Sequence, residues 1–192
     1  HPEIVTTHTY DDRVATVQNV KSAGVGTCSG GIIGIGESDD DIINLALTLR
    51  AMDIESIPVN FLHSIPRTPF ETKSQLTPHI CLMTLCLFRF VNPNKEIRVA
   101  GGREVCLRDL QSWIFFAGAD STMIGNYLTT YGRKPEMDHQ MVLDLGLMWR
   151  SYDGGSVEAT SPDPKLNRVS HTGKHRIPIL YEREVTAASS SV

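Results

Sequence analysis

Apolar residues along this chain recur at two different spacings, and the two spacings alternate. A helical spacing, with apolar positions three or four residues apart, predicts five helices, which cover about residues 9–23, 38–52, 77–91, 107–117 and 135–145. Short runs of β-branched and apolar residues between them predict four strands, at about residues 26–33, 57–62, 96–104 and 121–124. Helix and strand are therefore expected to alternate along the chain.

Residues with a preference for helix ends stand where the periodic segments begin and end. Thr9 and Ser38 precede acidic first turns and are expected N-caps, and Thr77 precedes Pro78, which suits the first helical position. Gly24 follows the first helix as expected of a C-terminal glycine. These local signals place the predicted helix ends.

The alternation is typical of repeated β/α units around a parallel sheet. The predicted strands are short, branched and apolar, as in strands that are buried on both faces. We therefore expect an α/β fold with about four β/α units, which is half of a TIM-type (β/α)8 barrel. Such a half has two open sheet edges, which need a partner or the other half.

The composition changes after about residue 150, where the chain becomes polar and loses its periodicity. We expect one domain over residues 1–150 and a mostly disordered tail over 151–192, with a possible short docking strand at 177–181. The first residues, His1-Pro2-Glu3-Ile4, lack a methionine, a basic segment and an apolar segment, so a signal peptide is not expected. They suggest a chain that starts within a longer protein.

The overall composition is that of an ordinary soluble domain. Of the 192 residues, 41% are hydrophobic and 21% charged, with a net charge of −4. This charge argues against nucleic acid or an anionic membrane surface as the main partner. The sequence contains no apolar run near the roughly 18 residues of a membrane-spanning helix. We expect neither a nucleic-acid nor a membrane partner.

Common catalytic and metal-binding motifs are absent from the sequence. The four cysteines, Cys28, Cys81, Cys86 and Cys106, lack a paired metal-site spacing, and all but Cys28 are expected to be structural. The histidines are dispersed, which argues against zinc. Residues 34–36 read G-x-G without the third glycine of a dinucleotide fingerprint, and no G-K-[ST] motif of a P-loop occurs. A phosphate cradle at the glycines remains a minor alternative.

Cys28 and Arg98 are the two residues expected to point into the barrel. An arginine within the apolar strand around Ile97 and Val99 carries a desolvation cost unless an anion compensates it. One interpretation is a structural ion pair with Glu37 or Glu104. The other is a site with a negative cluster or a carboxylate at its centre.

Residues 27–37, with the sequence T-C-S-G-G-I-I-G-I-G-E, contain the most distinctive motif in the chain. Further blocks follow in order at residues 6–13, 56–62, 68–69, 87–90, 96–104, 117–121 and 125–130. Together these blocks resemble biotin synthase, a family of radical S-adenosylmethionine enzymes, over about residues 2–147. The resemblance implies the C-terminal half of a β/α barrel that inserts sulfur into dethiobiotin to form biotin.

The resemblance also implies cofactors and the residues that bind them. Family members use a 4Fe–4S cluster to cleave S-adenosylmethionine reductively, which produces a 5′-deoxyadenosyl radical. This radical abstracts hydrogen, and a 2Fe–2S cluster donates the sulfur. Cys28 and Arg98 match two ligands of the 2Fe–2S cluster, and Asn60 matches a residue that hydrogen-bonds the ureido ring of dethiobiotin. The positions matching the S-adenosylmethionine site are Gly30, Ile32, Gly34 and Glu37, with His63 near it.

The family further implies an electron donor of the flavodoxin or ferredoxin type, a homodimer, and a cytoplasmic location, or a mitochondrial one in a eukaryote. The chain departs from the family in lacking the C-x3-C-x2-C loop that holds the 4Fe–4S cluster, and Arg67 stands where the family usually has glycine. We therefore expect the chain to be inactive alone. The alternatives are a non-catalytic half-barrel that acts as a binding or assembly module, and a related radical enzyme with another substrate.

Overall fold

A four-stranded parallel sheet forms the centre of the protein. The computed structural model describes residues 4–71, 76–127 and 130–147, together with the backbone of 149–150 and 156–157. The strands pair in chain order, and they are β1 (Gly31–Ile33), β2 (Ser56–Phe61), β3 (Glu96–Val99) and β4 (Ser121–Thr122). Parallel neighbours require crossover connections, which helices supply here. The predicted α/β alternation around a parallel sheet is confirmed, and its closure into a barrel stays a prediction.

In the part of the chain that the structure describes, five α-helices and a 3₁₀ segment accompany the sheet. They are α1 (Tyr10–Ser22), α2 (Asp39–Ala51), α3 (Pro78–Val91), α4 (Arg103–Leu107), the 3₁₀ helix (Arg108–Ile114) and α5 (Pro135–Asp144). Beyond α5, β5 (Trp149–Arg150) and β6 (Ser156–Val157) form a short antiparallel pair. The other residues of the predicted tail, including the docking strand at 177–181, lie outside the described residues.

The core lies between the helices and one face of the sheet. In β2 and β3 every second residue is fully buried, so that one strand face packs against helices and the other stays partly exposed. The buried set from the sheet and the helices is Ile57, Val59, Phe61, Ile97, Val99, Ala46, Leu49, Leu85, Phe88, Leu107 and Ile114. Burial of each large side chain stabilises the fold by roughly 1.5–3 kcal/mol.

The predicted helix N-termini are confirmed by their hydrogen bonds. Thr9 and Ser38 each form a reciprocal capping box with the aspartate three residues later, Asp12 and Asp41. The hydroxyl of Thr77 accepts from the N–H of Ile80 at the start of α3. These contacts involve residues three apart in the chain, which is why the local sequence was sufficient to predict them.

The first strand is shorter than the predicted 26–33. The Ser29 N–H donates to the Ser56 carbonyl (3.1 Å) and the Ser56 N–H donates to the Thr27 carbonyl (3.1 Å), which gives one isolated bridge at Cys28. The next position on β2 is Pro58, which has no N–H to donate, so a continuous ladder resumes only at Gly31. The proline near the start of β2 therefore shortens its neighbour.

The predicted strand 96–104 and helix 107–117 also need correction. The strand ends at Val99, and Arg103 and Glu104 already belong to α4, because Gly102 has φ +82° and turns the chain back at once. Arg108 has φ +52°, which no α-helix accommodates, so α4 ends there and a 3₁₀ segment follows. The fourth strand is limited to Ser121–Thr122.

Arg67 occupies a backbone conformation that favours glycine. Its φ is +65°, in the left-handed region, and its N–H donates to the Glu71 carboxylate (2.7 Å). The family's glycine at this position would adopt the same conformation without a steric cost. The arginine in place of the family's glycine therefore keeps the same turn but adopts a strained backbone conformation.

Gly102→Ala is expected to destabilise the protein by more than about 3 kcal/mol, because a Cβ at this positive φ would lie 1.8 Å from the Phe61 carbonyl oxygen. Gly24→Ala is the matched control, since Gly24 has φ +72° but nothing within 4 Å of its Cβ position. The free energy of unfolding of this control should fall by only about 1 kcal/mol. Urea unfolding of both variants measures the difference, and equal losses would show that the close approach at Gly102 is unimportant.

Candidate functional site

The partly exposed face of the sheet contains four of the eight predicted site residues. We call this surface the open face. Residues paired in register across parallel strands share a face, and the open face comprises Cys28, Ile32, Ser56, Pro58, Asn60, Glu96, Arg98 and Ser121. Cys28, Asn60 and Arg98 therefore lie on one surface, although they come from three different strand segments, and their roles in a site stay predictions.

Arg98 forms an ion pair with Glu96, two residues earlier on the same strand. Nη2 of Arg98 donates to Oε1 of Glu96 (2.6 Å), and Nε donates to the same oxygen (3.2 Å) and to Oγ of Ser121 (3.4 Å). Both side chains are mostly buried, with exposed fractions of 12% and 18%. An ion pair was one predicted interpretation of Arg98, but the expected partners, Glu37 and Glu104, were wrong.

The hydrogen bonds around Glu96 keep its carboxylate ionised. Burial raises the pKa of Glu96, but hydrogen bonds from Arg98 and Ser121 outweigh the burial and leave that pKa below its usual value. Oε1 also accepts from the Ser121 hydroxyl (2.8 Å). This carboxylate therefore holds two nitrogens of the guanidinium, while Nη1 has no hydrogen-bond partner among the described residues.

Cys28 is exposed, and no bound partner of its thiol lies within the described part of the chain. It pairs with Ser56, whereas Arg98 pairs with Pro58, two residues further along β2. Cys28 and Arg98 are two strands apart across the sheet and two residues apart along it, which places their Cα atoms about 12 Å from each other. A group held between the thiol and the guanidinium could contact both side chains.

Asn60 lies at the C-terminal end of β2, where it joins two neighbouring segments. Its Oδ1 accepts from the Gly101 N–H (2.9 Å), and its Nδ2 donates to the Gly31 carbonyl over a longer distance (3.4 Å). The side-chain amide is half-buried and faces the open side of the sheet. It is well placed for recognition of a polar ligand at the strand ends.

The glycine-rich turn after β1 is closed by Glu37. Its carboxylate accepts from the N–H groups of Gly34 (2.5 Å) and Ile35 (2.8 Å). Gly34 and Gly36 have φ of +100° and +111°. Glu37 therefore stabilises the turn by binding its backbone N–H groups. The spacing from Gly34 to Glu37 in the sequence did not identify this role.

The remaining predicted positions around this turn differ in their surroundings. A Cβ at Gly30 would lie 1.9 Å from the Pro58 carbonyl oxygen, so this glycine is required by the neighbouring strand. Ile32 is 51% exposed on the open face, and His63 is exposed in the segment after β2. Their proposed contacts with a cofactor stay predictions.

Sequence reasoning missed a buried polar network behind the strand ends. Arg103 and Asp138 form a fully buried, two-point ion pair, with Nη1–Oδ1 at 2.9 Å and Nη2–Oδ2 at 2.8 Å. Nearby, the Tyr127 hydroxyl donates to the Glu104 carboxylate (2.9 and 3.0 Å), and burial together with that negative charge raises the pKa of Tyr127. No local signal links Arg103 with Asp138, which follows 35 residues later.

The described residues supply only part of a metal-cluster site. Within residues 4–71, 76–127 and 130–147, no group of three or more histidine, cysteine, aspartate or glutamate residues could hold a metal ion. An iron–sulfur cluster of the 2Fe–2S type takes four protein ligands. Cys28 offers one thiol of the kind that such clusters bind, and the assignment of Cys28 and Arg98 as two of the four ligands stays a prediction.

Comparison with known proteins identifies relatives of this chain. The family model of the Biotin and Thiamin Synthesis associated domain matches residues 58–148, so this α/β protein contains that domain from within β2 to just past the end of α5. Over 153 residues the chain is 52% identical to biotin synthase from Geobacter sulfurreducens, which covers 80% of this chain and 46% of that protein. Over 146 residues it is 55% identical to the biotin synthase of Geotalea uraniireducens, which covers 76% and 44%.

The biotin synthase of Bacillus subtilis subsp. natto is 54% identical over 153 residues, which covers 80% of this chain and 45% of that protein. The chain belongs to the biotin synthase family, as its motifs indicated. It spans a little under half the length of the curated relatives it matches. None of the described helices is long and apolar enough to cross a membrane.

Glu96→Gln is expected to make stability less dependent on pH in the acid range. Because the folded-state pKa of Glu96 lies below its unfolded value of about 4.5, its contribution is present above about pH 4.5 and is lost as the pH falls through the lower folded-state pKa. Urea unfolding between about pH 6 and pH 3 should give a shallower decline for the variant than for the unmodified chain.

Asp11→Asn is the control for this experiment, because Asp11 is an exposed carboxylate on α1 with no ion pair among the described residues. It should keep the pH dependence of the unmodified chain. The interpretation of Glu96 would be wrong if Glu96→Gln and the unmodified chain declined equally.

Proposed function

We propose that this chain is the C-terminal part of a biotin synthase and contributes the substrate- and cluster-facing half of a radical S-adenosylmethionine enzyme. The observation that carries the proposal is the convergence of Cys28, Asn60 and Arg98 on the open face. The names of the curated relatives support the reaction, which is sulfur insertion into dethiobiotin to form biotin. In the complete protein, the open face would line the interior of a (β/α)8 barrel.

In this proposal Asn60 recognises dethiobiotin. The ureido ring carries both N–H donors and a carbonyl acceptor, and a side-chain amide complements such a group. Gly101 already orients the Asn60 amide by donating to its Oδ1 (2.9 Å). The Nδ2 group, whose bond to Gly31 is long at 3.4 Å, is then free to donate to the ring carbonyl.

Cys28 and Arg98 would hold the 2Fe–2S cluster, which supplies sulfur when it is bound. Glu96 and Ser121 position the guanidinium by accepting from Nε and Nη2, and this arrangement leaves Nη1 to face a ligand. A charged guanidinium has no acceptor, so ligation requires a competition between the metal and the Arg98 proton. The 4Fe–4S cluster would be bound by a part of the protein that precedes these residues.

The turn from Gly34 to Glu37 would lie along S-adenosylmethionine, with Gly30, Ile32 and His63 near it. Glu37 contributes by holding two backbone N–H groups of the turn in place. As further elements of the proposal, a flavodoxin- or ferredoxin-type protein donates electrons, the complete enzyme is a homodimer, and it is cytoplasmic, or mitochondrial in a eukaryote.

A hybrid protein tests the proposal. The N-terminal part of the Bacillus subtilis subsp. natto relative, joined to this chain in register, is expected to form biotin from dethiobiotin after reconstitution with iron and sulfide. The isolated chain should form none, because it contains no C-x3-C-x2-C motif. A correctly folded hybrid without activity, or biotin formation by the chain alone, would contradict the proposal.

Within this hybrid, Cys28→Ser is expected to lose the visible absorption of the 2Fe–2S cluster and at least about tenfold in biotin formation, because a thiolate ligand is removed. Cys86→Ser, at a half-buried position on α3, is the matched control and should retain both properties. Unchanged absorption in Cys28→Ser would remove Cys28 from the proposed ligand set.

Asn60→Ala is expected to raise the KM of the hybrid for dethiobiotin by at least about tenfold, because a polar ligand loses a hydrogen-bond partner in a partly buried site. Asn94→Ala, in the exposed turn before β3, is the control and should leave the KM unchanged. Steady-state kinetics with varied dethiobiotin measures the effect. An unchanged KM in Asn60→Ala would show that this residue does not bind the substrate.

A further inference from the structure

The backbone of Gly101 bonds both to the side chain and to the backbone of adjacent β2 residues. Its N–H donates to Oδ1 of Asn60 (2.9 Å), and its carbonyl accepts from the Phe61 N–H (2.9 Å). The orientation of the Asn60 amide therefore depends on where the backbone of this one residue is held. A shift of the Gly101 backbone would release the Asn60 side chain.

Gly102 places the same turn directly against β2. Its φ of +82° and the 1.8 Å approach of its Cβ position to the Phe61 carbonyl oxygen leave no room for another residue. The next residue is Arg103, whose side chain is fully buried. The position of the turn is thus determined on one side by β2 and on the other by the contacts of Arg103.

Arg103 connects the turn to α5 through Asp138. The two side chains, each 0% exposed, form two parallel charge-assisted hydrogen bonds of 2.9 and 2.8 Å. Arg133 adds a second positive charge at 3.6 Å from Asp138. The pair joins residues 35 positions apart, and it does not lie on the open face.

The pair is poorly explained as a stabilising device alone. Buried ion pairs often contribute no more stability than apolar residues of the same volume, because both charges lose their hydration. Nε of Arg103 is also buried without a hydrogen-bond partner among the described residues. A rigid, two-point connection can nevertheless hold one defined geometry, since the planar guanidinium and the carboxylate meet in a single orientation.

We propose that Arg103 and Asp138 are positioning residues for substrate recognition, which hold the backbone of Gly101 so that its N–H orients the Asn60 amide towards the ligand. This inference rests on the proposed role of Asn60 in binding dethiobiotin. The pair acts through the turn and touches no ligand itself. Loss of the two-point contact should weaken substrate binding strongly and should change the turnover rate of the bound complex only slightly.

Amide hydrogen exchange on the 192-residue chain tests the structural link without any cofactor. Asp138→Asn should speed exchange of the Gly101 amide by at least about tenfold, because the turn is released locally. The Glu96 amide, which donates to the Glu55 carbonyl (3.1 Å) at the opposite end of β3, reports any general loss of stability and should be accelerated much less than the Gly101 amide. Equal acceleration of both amides, or of neither, would overturn the proposal.

The kinetic test uses the hybrid enzyme. Asp138→Asn should raise the KM for dethiobiotin by about tenfold with kcat within about twofold. Glu136→Gln, an exposed acid on the same helix, is the matched control and should change neither value. A changed kcat with an unchanged KM would overturn the positioning role. Failure of the unmodified hybrid to form biotin would reject the proposed function, and the exchange result would still decide whether the pair holds the turn.

Arg103→Lys is the second variant, for the case that Asp138→Asn does not fold. Lysine keeps the positive charge but replaces the two-point contact with a single ammonium. The same rise in KM and the same local acceleration at Gly101 are expected. If Arg103→Lys folds and leaves both quantities unchanged, the two-point geometry has no positioning role.

Discussion

The close packing of the Gly101–Gly102 turn against the end of β2 is the constraint on which the site depends. The backbone N–H and carbonyl of Gly101 hydrogen-bond to the side chain of Asn60 and to the backbone of Phe61, and Gly102 leaves no room for a Cβ beside the Phe61 carbonyl. This contact ends β3, begins α4 and orients the Asn60 amide. One tight turn therefore determines both the local fold and the geometry available to a ligand.

The charge on the open face has a chemical consequence for the proposed cluster. Glu96 forms an ion pair with the guanidinium of Arg98, and the hydrogen bonds from Arg98 and Ser121 hold the pKa of Glu96 below its usual value. In the proposed site, ligation by Arg98 would require the metal to displace a proton from a guanidinium that is paired with this carboxylate. The carboxylate accepts from Nε and Nη2, and Nη1 has no hydrogen-bond partner among the described residues.

The proposed ligand set is incomplete within the described residues. The chain spans less than half the length of its curated relatives, and the described residues provide one thiol and one guanidinium on the open face. Parallel strands at the ends of an open sheet leave backbone N–H and carbonyl groups unpaired, and a closed barrel removes such edges. In the proposed complete barrel, residues outside this chain would pair with the sheet edges and supply the two further ligands.

The sequence by itself determined the features that depend on neighbours in the chain. Thr9, Ser38 and Thr77 cap helices through residues three positions away, and the spacing of apolar residues predicted the order of helices and strands. The resemblance of the motifs indicated the family. Only the tertiary structure decided which groups meet across the fold. Pro58 interrupts β1 through a neighbouring strand, and Arg103 reaches Asp138 through packing of α5, so neither contact leaves a periodic signal. The Glu96–Arg98 pair is intermediate. The two-residue period of a strand allows it, but only the fold shows that Glu37 accepts from the backbone of its own turn and Glu104 from Tyr127 instead.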